Sequence, residues 1–324
     1  MNLWYRGWLL LFLAVALAGC QARRQRSFEC IAPANPGGGW DLTCRLIAQA
    51  AGELRLLPAT LRVTNLPGAG GGMAFAHTVS VRNRDSSLIV AASPATTLRL
   101  AQGQYGDLEA GDVRWLAAVG AEYGVLAVAA GAPWRSLDDL VSAWRSNPGR
   151  IVVGGGSAVG GQDHMKVLLL ADRAGIDPRS IRYVPFDGGG EALTALLGGF
   201  IQVFSGEASE IEAQLEAGNV AVVAVLAPER LGGKLAGFPT AKEQGYDLSW
   251  ITWRGFYVPR GISDSAYRCW VDLMRRVVQS EPWREARNRY GIEPFALLGS
   301  NFERFVRAEV ETLRGISLEL GLIR

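Results

Sequence analysis

Histidine and cysteine are scarce in this 324-residue sequence, which contains two histidines and four cysteines. No Cys-x-x-Cys pair occurs, so the residues that usually hold zinc are too few for an ordinary site. The body of the chain also lacks a dense run of basic residues, and the formal net charge is only +2. The sequence therefore predicts no metal site, and it argues against nucleic acid as a partner.

Several enzyme signatures are missing as well. There is no G-x-x-x-x-G-K-[ST], which excludes a P-loop NTPase. The segment GSAVGG at 156–161 does not match the dinucleotide fingerprint, and no acidic residue closes the following strand. The nearby Gly-Ser-x-x-Gly is not G-x-S-x-G, and neither His77 nor His164 has a convincing acid partner. We therefore predict no cofactor and no catalytic residue.

The first residues have the pattern of an export signal. One Arg precedes the short apolar stretch LLLFLAVAL, which is too short to span a bilayer as a stable helix. The following Leu-Ala-Gly-Cys is similar to a bacterial lipobox, so we predict a signal peptide at 1–19, an acylated Cys20 and a basic tether at 20–27. An ordinary signal peptide with a chance cysteine is the alternative. The lipid would then be the protein's only membrane attachment.

Three cysteines remain in the exported chain, where disulfides persist. Cys30 precedes a glycine-rich loop and Cys44 follows it, so a strand–loop–helix unit would bring them together. The alternative is two buried free thiols.

Short β-rich runs alternate with helical patterns along the chain, in a composition that is 49% hydrophobic and 20% charged. This composition is globular, and the alternation predicts an α/β protein with parallel sheets. The predicted strands are 30–32, 61–63, 88–91, 151–153, 181–184, 201–204 and 220–226. Helices are expected between them, for example at 41–52 and 161–175, and only helices are expected after 261, at 264–280, 281–290 and 300–320.

Two extended apolar segments indicate crossings between two lobes. Residues 113–131 form a predicted strand pair broken at Gly120 and Gly124, and 249–261 form a second extended run. We expect lobe 1 to contain 28–122 plus 253–324, and lobe 2 to contain 123–252. The two crossings would form a hinge, with a cleft between the lobes.

Four glycine-rich segments each follow a predicted strand and precede a predicted helix. They are NPGGGWD at 35–41, NLPGAGGGM at 65–73, GGGSAVGG at 154–161 and FDGGG at 186–190. At the carboxyl edge of a parallel sheet, such helix starts offer unpaired N–H groups to an anion. Tight turns that need positive φ are the alternative explanation, although four equivalent loops make it less satisfactory.

A carboxylate ligand needs only N–H groups, hydroxyls and an occasional Arg. Hydroxyls are present at Thr43, Ser93, Thr96, Thr97, Ser157 and Ser209. The best acidic candidates are Glu207 and Glu210, as helix caps or as acceptors for a ligand hydroxyl. Trp40, Trp250 and Trp253 are candidates for the cleft wall, and core packing is an equally good interpretation of them.

Read together, these segments also resemble a known family. ECIAPANPGGGWDLTCRLI, VTNLPGAGGGMAFAH, VGGGSAVGGQDHM, VPFDGGGEALTALLGG and VFSGEASE are similar to the extracytoplasmic solute receptors of tripartite tricarboxylate transporters, the Bug family. The resemblance covers nearly all of 28–324. It implies a two-lobed periplasmic-binding-protein fold, type II-like, with two parallel or mixed sheets flanked by helices.

The resemblance also implies a function and a site. The loops at 36–41 and 67–72 would hold one carboxylate, and lobe 2 would supply residues near 157–161 and 187–189. The Cys30/Cys44 pair and FSGEASE look most like the citrate-binding branch. The expected ligand-binding residues are Gly38, Gly39, Trp40, Asp41, Pro67, Gly68, Ala69, Gly70, Gly71, Ser93, Thr96, Ser157, Gly160, Gly161, Asp187, Gly188, Glu207 and Ser209.

We therefore expect a monomeric, lipid-anchored periplasmic receptor for a dicarboxylate or tricarboxylate such as citrate. It would deliver its ligand to a membrane permease and would not be an enzyme. Two alternatives stay open: a periplasmic α/β hydrolase or lyase acting on a carboxylate, and a receptor that presents citrate to a sensor kinase.

Overall fold

The computed structural model describes residues 27–324. The predicted signal peptide, Cys20 and the tether up to residue 26 lie outside the described residues. Within the described part, no helix is both long and apolar enough to cross a membrane.

The described residues form ten strands and ten α-helices that alternate over most of the chain. The strands are β1 (Phe28–Ala32), β2 (Leu61–Asn65), β3 (Leu88–Ala92), β4 (Val113–Ala129), β5 (Val152–Gly155), β6 (Arg182–Pro185), β7 (Val203–Glu207), β8 (Val220–Val225), β9 (Ile251–Pro259) and β10 (Leu297–Leu298). The helices are α1 (Gly39–Glu53), α2 (Gly72–Ser80), α3 (Pro94–Ala101), α4 (Leu137–Ser146), α5 (Gln162–Arg173), α6 (Gly189–Leu197), α7 (Ala208–Glu216), α8 (Asp264–Val278), α9 (Glu281–Arg289) and α10 (Ser300–Glu319).

The strands form one mixed sheet in the order β2-β1-β3-β9-β4-β7-β5-β6, with β8 and β10 also paired to β4. β1 is parallel to β2 and β3, and β5 is parallel to β6 and β7. Inner strands such as β3 are short apolar runs because helices cover the sheet there, and all five residues of β3 are buried. The predicted α/β class and the strands at the seven predicted positions are confirmed. The expectation of two sheets is wrong, because β4 pairs with strands on both sides and joins them into one sheet.

The long strand β4 joins the two halves of the sheet. Its residues 113–123 pair antiparallel with β9, whereas 124–129 pair with β7 and β8. The predicted strand pair broken at Gly120 and Gly124 is therefore wrong, because β4 is continuous through both glycines. The lobe boundaries at 122/123 and 252/253 stay a prediction.

The chain after 261 is almost entirely helical, as expected. α8, α9 and α10 lie within two residues of the predicted bounds. One expectation is wrong: the two-residue strand β10 also forms there and pairs with Ala117 and Ala118 of β4. Phe302, Val306 and Val310 are buried along one stripe of α10, which packs against α3 and β4.

A disulfide joins Cys30 in β1 to Cys44 in α1, with their Cα atoms 5.9 Å apart. The bridge therefore closes the chain on either side of the first glycine-rich loop. Cys269 is an exposed free cysteine on α8.

Candidate functional site

The four glycine-rich loops share one feature at the helices that follow them. α1, α2, α5 and α6 each begin after a glycine N-cap with no side-chain capping bond: Gly38, Gly71, Gly161 and Gly188. By contrast, serine side chains cap α3, α4, α8 and α9. Helix starts without a capping side chain leave N–H groups available, and these groups with the helix dipole favour an anion.

Asp41 holds the first loop in place through hydrogen bonds. Its carboxylate accepts hydrogen bonds from Gly37 N at 2.9 Å, Arg45 Nε at 2.8 Å and Asn65 Nδ2 at 2.9 Å. The hydrogen bond from Arg45 is the main reason that the pKa of Asp41 falls to about 2. Asp41 is buried, so its carboxylate shapes the loop, while Gly39 beside it is exposed.

The second loop, which begins with exposed Pro67, has an unusual backbone. Gly68, Ala69, Gly70 and Gly71 all have positive φ, at 131°, 50°, 59° and 96°. Residues with a Cβ rarely adopt this left-handed region, so a run of four explains the glycine content of this loop. Turn geometry and ligand access therefore both contribute to the motif.

Trp40 connects the first two loops to the start of α3. A Cβ built on Gly71 would lie 3.3 Å from Trp40 Cη2, so the indole packs against the second loop. Trp40 Nε1 donates a hydrogen bond to Ser93 Oγ at 3.1 Å. Thr96 is buried in the α3 capping box, where its hydroxyl faces Ser93 N at 3.5 Å. The predicted lobe 1 residues thus lie in one patch.

The third and fourth loops are adjacent to each other. A Cβ built on Gly156 would lie 2.6 Å from the carbonyl carbon of Gly188. Ser157 Oγ accepts a hydrogen bond from Asp163 N at 2.9 Å, and Gly160 N donates to His164 Nδ1 at 3.0 Å. Some polar groups of the third loop therefore already have hydrogen-bond partners in the loop and in α5. In the fourth loop, Asp187 is exposed.

Glu207 belongs to a buried charge cluster at the end of β7. Lys166, which is fully buried on α5, donates to Glu207 Oε1 at 2.7 Å, to Asp163 Oδ1 at 2.9 Å and to Gly206 O at 3.0 Å. Thr252 Oγ1 donates to the same Glu207 oxygen at 2.8 Å. Burial lowers the pKa of Lys166, but Glu207 and Asp163 outweigh that effect and raise it overall.

Glu210 lies one turn further along α7. Its Oε2 accepts a hydrogen bond from Glu207 N at 2.8 Å, and its carboxyl group lies against the backbone of Gly189 and Gly206. Removal from water by the surrounding protein, followed by the charge of Asp163, raises the pKa of Glu210 to about 7. Glu210 therefore connects the start of α7 with the fourth loop.

An ion pair on the crossing strands β4 and β9 lies at the edge of predicted lobe 1, next to predicted lobe 2. Arg254 Nε on β9 donates to Glu122 Oε1 on β4 at 2.8 Å, and Arg254 Nη1 donates to Gly39 O at 3.0 Å. Ser209 Oγ at the start of α7 donates to Glu122 Oε2 at 2.5 Å. A continuous polar chain thus runs from the first loop to the start of α7.

Sequence reasoning missed several members of this arrangement. Lys166 and Glu122 each carried a signal, because a single charge within an apolar run needs a buried partner. Arg254 carried the same signal, because it is the single charge in the apolar strand β9, whereas Arg99 carried none in its amphipathic helix. Arg99 lies against Gly70 of the second loop, where a Cβ would come within 2.8 Å of Arg99 Cζ.

The site offers no arrangement typical of a hydrolase. In residues 27–324, neither histidine accepts a hydrogen bond from a serine or cysteine side chain. His164 is buried and stacks on Tyr183 with ring centroids 4.5 Å apart, and burial lowers its pKa to about 4. The same described range holds no cluster of three or more His, Cys, Asp or Glu residues suited to a metal ion.

The model of the tripartite tricarboxylate transporter family receptor, TctC, matches residues 45–322. The chain belongs to the TctC receptor family. Protein BugT of Bordetella pertussis is 25% identical to this TctC-family chain over 304 residues, covering 91% of the chain and 90% of BugT.

Solved structures support the same fold for this TctC-family protein. Rpa4515 of R. palustris, solved with adipate, is 22% identical with a TM-score of 0.80, covering 92% of this chain and 98% of its own. MatC of Rhodopseudomonas palustris, solved with bound malate, is 22% identical with a TM-score of 0.75. The match covers 90% of this chain and 99% of the MatC chain. The periplasmic-binding-protein fold predicted from the sequence is confirmed.

Proposed function

We propose that this TctC-family protein is a periplasmic solute-binding receptor that captures a carboxylated small molecule in a cleft between two lobes. One observation carries the proposal: four helices that follow glycine loops begin at a glycine N-cap, and of these only α5 has a first-turn N–H bound by a side chain, that of Ser157. Their N–H groups and dipoles suit a carboxylate, which forms charge-assisted hydrogen bonds with such donors.

The more specific proposal is a tricarboxylate such as citrate, which the receptor would deliver to the membrane permease of a tripartite transporter. Adipate and malate in the related structures support a ligand with carboxylate groups. The receptor would act without catalysis and as a monomer. The ligand would lie against Gly38, Gly39 and Trp40 on one side and near Ser157, Gly188 and Ser209 on the other.

A thermal-shift screen of residues 28–324 against dicarboxylates and tricarboxylates tests this proposal. A ligand present at about 100 times its Kd stabilises the folded state by roughly 2.7 kcal/mol, enough to raise the Tm measurably. We expect citrate or a related polycarboxylate to raise the Tm, and uncharged amide analogues to leave it unchanged. If no carboxylate shifts the Tm, the proposed function is wrong.

The lipid anchor is a separate proposal, because Cys20 lies outside the described residues. Changing Cys20→Ser should release the protein from membranes or leave its signal unprocessed. A mutant that still fractionates with membranes at the processed size would contradict the anchor without affecting the binding function.

A further inference from the structure

Arg99 is a cation without a carboxylate partner among the described residues. It lies on α3, and the only hydrogen bond of its side chain to a described residue runs from Nη1 to Gln104 Oε1. No salt bridge of the described range includes it, although most nearby arginines, such as Arg45 and Arg254, pair with acids. A partly buried guanidinium with free donors is well suited to an anionic ligand.

The position of Arg99 ties it to the second glycine loop. The Arg99 side chain lies against Gly70, whose carbonyl oxygen accepts a hydrogen bond from the Tyr105 hydroxyl at 2.7 Å. Tyr105 is buried in the turn that follows α3, so this contact holds the second loop against that turn. The guanidinium is therefore anchored beside a loop that is expected to bind a carboxylate.

The same face of α3 also reaches the third glycine loop. Gln102, one turn after Arg99, donates from Nε2 to Gly160 O at 2.9 Å and contacts Ser317 at 3.4 Å. Ser93, which accepts the Trp40 hydrogen bond, stands six residues before Arg99, about 9 Å along the helix axis. Six residues are about 600° of helix rotation, so Ser93 and Arg99 lie on different faces; α3 contacts the Trp40 patch at its start and the lobe 2 loop at its end, where Arg99 lies.

We propose that Arg99 binds a second carboxylate of the ligand, apart from the carboxylate held at the glycine helix starts. The proposal rests on the proposed function and specifies it further: the ligand carries at least two carboxylates, and a monocarboxylate fills only half of the site. A guanidinium can bind a carboxylate through two parallel N–H bonds, which adds geometric selectivity to the charge.

Binding calorimetry with citrate, succinate and succinamate tests the proposal. Succinamate replaces one succinate carboxylate with an uncharged amide of similar shape. Hydrogen bonds to charged groups are strong enough that we expect succinate to bind about tenfold to a hundredfold tighter than succinamate. In Arg99→Gln, citrate and succinate should weaken by a similar factor, so that succinate and succinamate become nearly equal.

Arg268→Gln is the matched control, because Arg268 is exposed on α8 and the same charge is lost. It should leave all three affinities within about twofold, since only long-range steering changes. Arg99→Lys keeps the charge and should recover part of the affinity. Circular dichroism checks that each variant folds. If Arg99→Gln does not fold, the affinities of Arg99→Lys are compared with those of the unmodified protein instead.

Equal binding of succinate and succinamate by the unmodified protein would overturn the Arg99 proposal while leaving carboxylate binding intact. Unchanged citrate affinity in a folded Arg99→Gln protein, or in folded Arg99→Lys if only that variant folds, would overturn it as well. Failure of all three compounds to bind, together with no Tm shift from any carboxylate in the screen, would contradict the proposed function, and the Arg99 proposal with it.

Discussion

Arg254 on β9 and Glu122 on β4 form an ion pair in which both side chains are largely buried, at 12% and 2% exposure. Glu122 also accepts a hydrogen bond from Ser209, and Arg254 reaches Gly39 O. The pair therefore holds the first glycine loop and the start of α7 in register across the two crossing strands. Through the hydrogen bond from Ser209, the pair in predicted lobe 1 contacts predicted lobe 2.

Removing one member of this pair should destabilise the folded protein. Arg254→Met leaves the Glu122 carboxylate buried without its cation, and we expect a loss of about 3–5 kcal/mol in the free energy of unfolding. Adding Glu122→Gln should recover much of the loss, because the amide needs no counter-ion and keeps Ser209 as a partner. Urea unfolding of the single and double variants measures both effects.

The exposed pair Arg284 and Glu281 is the control for this cycle, with 63% and 53% exposure. The same substitutions there should change stability by less than about 1 kcal/mol. If the costs at Arg254 and Glu122 are simply additive, the two side chains are not coupled and the assigned role is wrong.

Glu309 on α10 makes stability depend on pH. Thr97 Oγ1 donates to its carboxyl group at 2.7 Å and Trp253 Nε1 at 2.9 Å, and burial raises its pKa from 4.5 to about 7. Between these values the folded protein holds a proton that the unfolded chain releases. This contribution to stability is therefore present at low pH and is lost as the pH rises through that window.

Replacing Glu309→Gln should remove this contribution to the pH dependence. From about pH 5 to about pH 8, the unmodified protein should lose roughly 1–3 kcal/mol more stability than the variant. Urea unfolding at the two pH values provides the comparison. Equal changes in the free energy of unfolding of both proteins would show that Glu309 is already ionised at the lower pH.

The Cys30–Cys44 bridge should form in the exported protein. Mass spectrometry of non-reduced peptides should show these two cysteines linked, and exposed Cys269 should react with an alkylating reagent without reduction. A bridge closing a loop of about fifteen residues is worth roughly 3 kcal/mol in the chain-entropy model. Alkylation of both Cys30 and Cys44 without reductant would contradict it.

The sequence pattern predicted the alternating elements well, because short apolar runs bounded by glycine have few other solutions. It failed at β4, where Gly120 and Gly124 looked like breaks. In the structure, Ile292 fills the space beside Gly120, and a Cβ on Gly124 would lie 2.9 Å from Lys166 Cε. Both glycines make room for side chains that are distant in sequence, and no local pattern reveals such contacts.

The site was predictable in its loops and less so in its side chains. Glycine clusters between strands and helices located the four helix starts, because topology alone places them at carboxyl edges. The engagement of Glu207 by Lys166 depends on α5 packing against β7, and the position of Arg99 depends on α3 packing beside the second loop. Those contacts follow from tertiary structure.

A charge placed at Gly188 tests the central claim, that glycine helix starts hold a ligand carboxylate. Gly188 has an extended φ of 171°, and a Cβ there meets no heavy atom within 4 Å. Asp and Asn are both good N-caps of similar size, so Gly188→Asp and Gly188→Asn should both fold. They differ only in the negative charge at the start of α6.

The deciding measurement is the citrate affinity of these two variants by titration calorimetry. A carboxylate at residue 188 would occupy the N–H groups and repel the ligand. We therefore expect Gly188→Asp to bind citrate at least about tenfold more weakly than Gly188→Asn does. Equal citrate affinity in the two folded variants would contradict the account, because the start of α6 would then serve the turn and not the ligand.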